Sequence, residues 1–353
     1  MEFGLSEEQT LLQDSVQKFL SGEVALDRVR ESTKNKNDKA IWQGLVDLGI
    51  SGMLIPEAQG GVAMGTLDAA IVAEQLGHHV TPSPFISTAV IAPTILSTTS
   101  THNDLLAAIA LGESRVGIAL GDSIALRHDQ GVKEDKGLLS GKATFVLDTN
   151  ADVFLVAAQN KSIYLVEKDQ LKINNRTTID LTRSTCELLL DNSKAELITS
   201  DESVYHQAIN IGRIMLAADT LGAAQCMIDQ AVSYAKEREQ FGRVIASFQA
   251  VKHMCAEMTA GLEPCRAMVW YTSHAFDNLP NESEMTTCHC KAHISEIGKF
   301  VAKTSTEIHG GMGFTDLVGL HYWFKRIGFN RQLLGSPEML RSEAAALQGL
   351  RNV

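Results

Sequence analysis

Lys236-Glu-Arg-Glu-Gln-Phe-Gly-Arg-Val-Ile-Ala-Ser-Phe-Gln-Ala-Val-Lys-His253 is the stretch on which the reading of this chain turns. It closes a long helical pattern that starts near Tyr205, turns at Gly242 and restarts a helix near Ser247. Arg238 offers a planar, permanently charged fork suited to pyrophosphate oxygens. Gln240 and Gln249 add neutral hydrogen bonds, and Phe241 and Phe248 present apolar faces to an aromatic ring. A second stretch, Glu307-Ile-His-Gly-Gly-Met-Gly-Phe-Thr315, has the complementary character. In His309-Gly310-Gly311-Met312-Gly313 the missing side chains let backbone N–H groups approach a phosphate closely. Taken singly, the two stretches also read as an exposed polar corner and a Gly-rich interhelical turn.

Upstream, apolar residues Leu11, Leu12, Val16, Phe19 and Leu20 recur at helical spacing behind a Ser6-x-x-Gln9 cap. Helical character continues through Lys39 to Leu48, Leu67 to Leu76 and Ser87 to Leu96, interrupted at Gly49, Gly60-Gly61 and Pro82/Pro84. Between residues 113 and 200 short apolar runs alternate with Gly, Asn and Asp turns, as in Val116-Gly-Ile-Ala-Leu and Val153-Phe-Leu-Val-Ala. From residue 201 the helical period returns through Lys236, Phe248 to Phe276 and Glu284 to Ile308, with Pro280 between the last two. The expected fold is α+β: a helical domain over 1–112, a middle β-barrel or sandwich over 113–200, and a C-terminal four-helix bundle over 201–353.

A length of 353 residues suits such a multidomain chain, and 44% hydrophobic with 21% charged residues marks an ordinary globular one. A formal charge of −11 argues against nucleic acid, whose binding draws on clustered Lys and Arg. Six cysteines without framework spacing point to free thiols in a reducing compartment, the cytoplasm. The acidic start Met1-Glu2-Phe3-Gly4-Leu5-Ser6-Glu7-Glu8 lacks the features of a secretory signal, and no uncharged apolar run is long enough to imply a membrane span.

The stretch 236–253 together with 307–315 resembles the acyl-CoA dehydrogenase family. The early pattern Trp42-x-x-Leu45-x-x-x-Gly49-x-x-Gly52-x-x-Ile55-Pro56-Glu57, followed by Gly60-Gly61, is similar to that family's N-terminal region. The resemblance covers nearly the whole chain. It implies FAD as cofactor and α,β-dehydrogenation of an acyl-CoA thioester, with an acceptor such as an electron-transfer flavoprotein. It also implies Arg238, Gln240, Phe241, Phe248, Gln249, Glu307, His309, Gly310, Gly311 and Gly313 as FAD contacts. In the family these two segments reach across a dimer interface to a neighbour's FAD, so an oligomer is implied.

Several positions depart from the family. Its ring-holding stretches correspond to Gly117-Ile-Ala-Leu-Gly-Asp-Ser123 and Ala143-Thr-Phe-Val-Leu-Asp148, where Phe145 stands for the usual aromatic and Leu147 offers no hydroxyl. Dehydrogenation needs a carboxylate to take the proton beside the thioester carbonyl. At the two positions where the family places that Glu, this chain has Leu334 and Gly212. The nearest acid on the helix is Asp219, two turns and ~10 Å from Gly212. It is either a base in a rearranged site or a buried, hydrogen-bonded residue. Glu307, where the family has Gln, would repel a pyrophosphate.

The losses fall on the chain's own ring and substrate site, whereas the grip on a neighbour's cofactor is kept. That pattern, with the short segment His321-Tyr322-Trp323-Phe324-Lys325-Arg326 through Arg341, resembles the smaller subunits of two-subunit enzymes of steroid and side-chain catabolism. A second acyl-CoA dehydrogenase-like chain is then the expected partner. The alternatives are a homo-oligomer relying on Asp219 and a scaffold that binds CoA ligands or a partner without FAD. Cys288, Cys290 and His293 do not read as a metal site, because helical residues two apart face different ways.

Overall fold

The Ser6 hydroxyl accepts from the Gln9 backbone N–H at 3.1 Å while Gln9 Oε1 accepts from the Ser6 N–H, so two of the orphan donors at the start of the first helix are satisfied reciprocally. A computed structural model of the chain describes residues 4–121 and 131–350. From that cap run α1 (Glu7–Glu23), α2 (Leu26–Asn35), α3 (Lys39–Asp47) and α4 (Thr66–His78). A π-helical turn over Phe85–Ile91, then α5 (Ala92–Leu96) and α6 (Asn103–Ala110), complete the N-terminal helical part.

The middle region is one sheet built from β1 (Val116–Ala119), β2 (Gly131–Asp135), β3 (Leu138–Leu147), β4 (Val153–Ala157), β5 (Ile163–Glu167), β6 (Lys172–Arg176), β7 (Thr185–Lys194) and β8 (Glu196–Thr199). The order is β6-β7-β3-β1-β4-β5-β8, with β2 also on β3. Among the described residues only β1 and β4 pair in parallel, from Val116 opposite Val153 to Ala119 opposite Val156. Their apolar runs are buried on both faces, as such central strands require. Val132, Leu139, Val146, Phe154, Val166 and Leu188, drawn from β2, β3, β4, β5 and β7, close one apolar core inside the sheet.

The chain then enters α7 (Glu202–Glu237), crosses the hairpin of β9 (Glu239–Gln240) and β10 (Arg243–Val244), and continues through α8 (Gln249–Asn278), α9 (Pro280–His309), α10 (His321–Gln332) and α11 (Pro337–Leu347). Pro280 does not merely separate two helices; it occupies the first turn of α9, where its missing N–H has no helical partner to lose. α7 is apolar and long enough to pass for a membrane span, but α4, α8, α9 and α10 surround it and its apolar residues are buried in the bundle.

At the crossing of α4 and α7 the backbones touch. A Cβ on Gly77 would lie 2.0 Å from the Asp219 carbonyl oxygen, and one on Gly222 would lie 1.8 Å from that of Glu74. One apolar core therefore runs without a break from α1 and α4 into α7, α9 and α10.

Candidate cofactor site and a filled base position

The turn that carries the hairpin is Phe241-Gly242, both at positive φ (54° and 74°), as a two-residue hairpin with right-handed strand twist demands. It holds the Phe241 side chain 92% exposed, at a ring-centroid distance of 6.1 Å from Phe248, over which the Arg243 guanidinium sits at 4.1 Å. Opposite the hairpin, α9 ends at Gly310 with φ 58° and ψ −137°, a conformation open only to glycine.

Between these two features lies an open pocket of about 440 Å³, lined by Tyr234, Arg238, Gln240, Ile245, Ile308, His309, Gly310, Gly311 and Met312. The structure thus brings Arg238 and Gln240 against His309, Gly310 and Gly311. No atom would meet a Cβ on Gly310 or Gly311 within 4 Å, so the backbone there faces free space. Gly313 plays a different part: a Cβ on it would fall 2.8 Å from the Thr306 carbonyl, so it lets the turn pack down on α9. Phe241, Phe248 and Gln249 do not line the pocket, and the Gln249 amide is bonded to His253 at 2.9 Å. Glu307 projects from α9 as an exposed residue and does not line the pocket. Tyr234 was not singled out from the sequence. Its signal was its place four residues before Arg238, on the same helical face.

His309 is 97% buried by its 3% exposure, and its ring stacks on Tyr234 with centroids 4.6 Å apart. Nδ1 lies 2.8 Å from the Ser305 carbonyl, which can only accept, so Nδ1 carries the proton. Burial lowers the pKa of the ring and outweighs the Ser305 hydrogen bond that raises it.

Gly212 and Leu334, the positions at which the sequence resemblance led to the expectation of a Glu, meet in space. A Cβ on Gly212 would lie 2.6 Å from Leu334 Cδ1 and 3.0 Å from Ile91 Cδ1, so the Leu334 side chain fills the space that a residue 212 side chain would need. Leu334 is buried at φ 57°, held by two basic side chains: Arg213 Nε donates to its carbonyl at 2.9 Å and Lys291 Nζ to that of Gly335 at 2.8 Å. Arg213 is balanced by a bidentate pair with Glu343 at 2.8 and 2.9 Å. Among the described residues Lys291 has no carboxylate partner, and burial with the nearby Arg213 and Arg331 charges pulls its pKa down to about 7.

The folded state therefore binds fewer protons at Lys291 than the unfolded chain between pH 7 and the ordinary lysine range, so this group makes stability rise with pH across that interval. Lys291→Met should remove that rise. Chemical denaturation of both proteins at pH 7 and pH 9 checks it, as the difference in stability between variant and parent must favour the variant more at pH 7.

Asp219, considered above as a base, sits in a different arrangement. Its carboxylate receives Arg326 Nε at 2.9 Å and Nη2 at 2.6 Å, Asn330 Nδ2 at 2.6 Å, and pairs with Arg183 Nη2 at 3.0 Å. Burial pushes its pKa up, and the Arg183 and Arg326 charges with the Arg326 and Asn330 hydrogen bonds pull it further down, to about 2. A carboxylate so engaged has no free lone pair for a substrate proton and is a feeble base at neutral pH. Arg326 also donates to the Thr81 carbonyl at 3.1 Å and to Thr182 Oγ1 at 2.9 Å, and Arg183 to Asn330 Oδ1 at 3.1 Å. The cluster fastens the N-terminal helices, the sheet and the bundle to one another.

In the ring-holding stretches, Asp122 and Ser123 lie outside the described residues, as do Met1, Glu2 and Phe3. Phe145 bulges from β3 at φ 51°, half exposed, with its ring 6.4 Å from that of Phe329 on α10. Leu147 is buried. Cys288 packs with Ala292, Leu340 and Ala344, whereas Cys290 faces the main core, so the two thiols point apart.

Profiles described as the acyl-CoA dehydrogenase N-terminal domain and the acyl-CoA dehydrogenase C-terminal domain match residues 6–112 and 203–347. The chain is 30% identical over 339 residues to the acyl-CoA dehydrogenase IpdE2 of Mycobacterium tuberculosis, covering 95% of this chain and 96% of that one. Among solved structures, the Tcur3481-Tcur3483 steroid ACAD G363A variant superimposes with a TM-score of 0.89 at 26% identity, covering 97% of this chain and 98% of that one. The ChsE4-ChsE5 complex from Mycobacterium tuberculosis, at 23% identity with full coverage of both chains and a TM-score of 0.91, has the same fold. With both terminal domains matched and the whole length shared with a relative, the chain belongs to the acyl-CoA dehydrogenase family.

Proposed function

We propose that this chain is an FAD-dependent acyl-CoA dehydrogenase subunit that completes the cofactor site of a second, base-bearing chain. The observation that carries this reading is the contrast between its two sites. The pocket around Arg238 and His309 is open and ready for a ligand, whereas the base position is filled by Leu334 against Gly212.

The pocket fits FAD on its own chemistry. Arg238 is exposed and makes no side-chain ion pair among the described residues, so its fork is free for pyrophosphate oxygens. Gly310 and Gly311 leave their backbone open to a phosphate. The bound cofactor supplies the hydride acceptor for the β-carbon of an acyl-CoA. This chain's residues hold and orient; the proton beside the thioester carbonyl goes to a carboxylate on the partner, because Leu334 and Gly212 cannot accept it and Asp219 is occupied.

Phe241, Phe314 and Leu317 are 92, 80 and 77% exposed, bare apolar side chains that support a protein partner. The two-chain ChsE4-ChsE5 and Tcur3481-Tcur3483 assemblies among the structural relatives support a second acyl-CoA dehydrogenase-like chain, and the latter's name supports a steroid-type acyl group. An electron-transfer flavoprotein is the acceptor in this reading, and six free thiols suit the cytoplasm.

The test is co-purification with an acyl-CoA dehydrogenase-like chain that carries the Glu, followed by flavin absorbance and dye reduction with an acyl-CoA. Arg238→Ala should weaken flavin retention by the complex roughly 10- to 100-fold, the range of a lost charge-assisted hydrogen bond. A lone chain that is yellow and turns over an acyl-CoA would overturn the proposal.

A further inference from the structure

His309 is the one pocket-lining side chain that is both nearly fully buried and left with an uncommitted nitrogen. Nδ1 is spent on the Ser305 carbonyl, one ring face is spent on Tyr234, and no hydrogen bond reaches Nε2 from any described residue. His309 lines the pocket, and Nε2 is not one of the fully buried polar atoms left without a partner. With the proton on Nδ1, Nε2 of the neutral ring is a lone-pair acceptor and cannot donate. A phosphate, itself only an acceptor at neutral pH, has nothing to offer it.

We infer that His309 is a specificity-determining residue that accepts a hydrogen bond from the nucleoside half of the cofactor, leaving the phosphates to Arg238 and the Gly310-Gly311 backbone. The ligand class is an adenine nucleoside diphosphate, and the donor is its exocyclic amino group or a ribose hydroxyl. This rests on the cofactor reading above and adds to it a division within the pocket: a charged end that reads phosphate and a neutral end that requires a donor. Tyr234 and Ser305 act as positioning residues, since the stack fixes the plane of the imidazole and the carbonyl fixes its tautomer.

The experiment titrates the full chain, alone and in its assembled form, with ADP, inosine diphosphate and inorganic pyrophosphate, using calorimetry. The parent should bind ADP more tightly than pyrophosphate. His309→Phe keeps the ring volume and the stack on Tyr234 but removes the acceptor. It should weaken ADP about tenfold, the size of one neutral hydrogen bond, and leave pyrophosphate unchanged. If inosine diphosphate binds the parent as weakly as ADP binds the variant, the donor is the amino group. If it binds like ADP, the donor is a hydroxyl.

ADP binding unaffected by His309→Phe overturns the inference. So does an equal loss for ADP and pyrophosphate, which would mark a structural role. A parent protein that binds neither ligand, with no flavin in the assembled form, overturns the cofactor reading itself and the inference with it.

Discussion

Asp219→Asn destabilises the protein by roughly 3–5 kcal/mol, the cost of removing one partner from a buried ion-pair cluster. The substitution keeps the shape but leaves Arg183 and Arg326, both fully buried, facing only Asp180 among the cluster's acids. An amide also turns one acceptor oxygen into a donor against Asn330 and the two guanidiniums. Because three parts of the fold meet at this cluster, the loss should show as a lower midpoint in urea for the helical and sheet signals together.

The pH dependence follows from the depressed carboxyl. Its contribution is full above the ordinary Asp range, near pH 4, and fades as the pH falls toward about 2. The variant should lose that acid-side dependence. Unchanged stability with abolished turnover would restore Asp219 as a catalytic base.

The second large effect is expected at Gly222. Its hypothetical Cβ falls 1.8 Å from a backbone oxygen of α4, and backbone has no rotamer by which to move aside. Gly222→Ala must therefore push α4 and α7 apart along the seam that joins the N-terminal helices to the bundle. Alanine favours the helix over glycine by about 1 kcal/mol, but overpacking of a close contact costs about 1–3 kcal/mol and here lies at or above the upper end. The net expectation is a loss of at least ~2 kcal/mol, read from chemical denaturation. A stabilised variant would mean that the two helices separate more easily than their packing implies.

Neither effect is visible in the sequence. Gly222 stands in a run of small residues that reads as ordinary helix interior, and only the approach of α4, nearly 150 residues earlier, gives the missing side chain its purpose. The same holds for Asp219. Its spacing from Gly212 left it open as a base or a structural acid, and its three basic and amide partners come from residues 183, 326 and 330. The polar edge strands β2, β6 and β8 also escaped the pattern, since an edge strand buries too little to show a strong apolar alternation.

What the sequence determined by itself is the order of helical, sheet and helical regions, and the meeting of Arg238 and Gln240 with His309, Gly310 and Gly311 at one pocket. Both rest on local signals: periodicity, caps, and the Gly and Arg chemistry of two short stretches. That Leu334 and Gly212 carry no carboxylate was equally legible, because it is a matter of residue type at a position. Only the tertiary structure decided that Leu334 and Gly212 share one filled space, that Asp219 is locked between guanidiniums, and that His309 keeps one nitrogen free. Those properties belong to contacts between segments far apart in the chain, and periodicity says nothing of which faces meet.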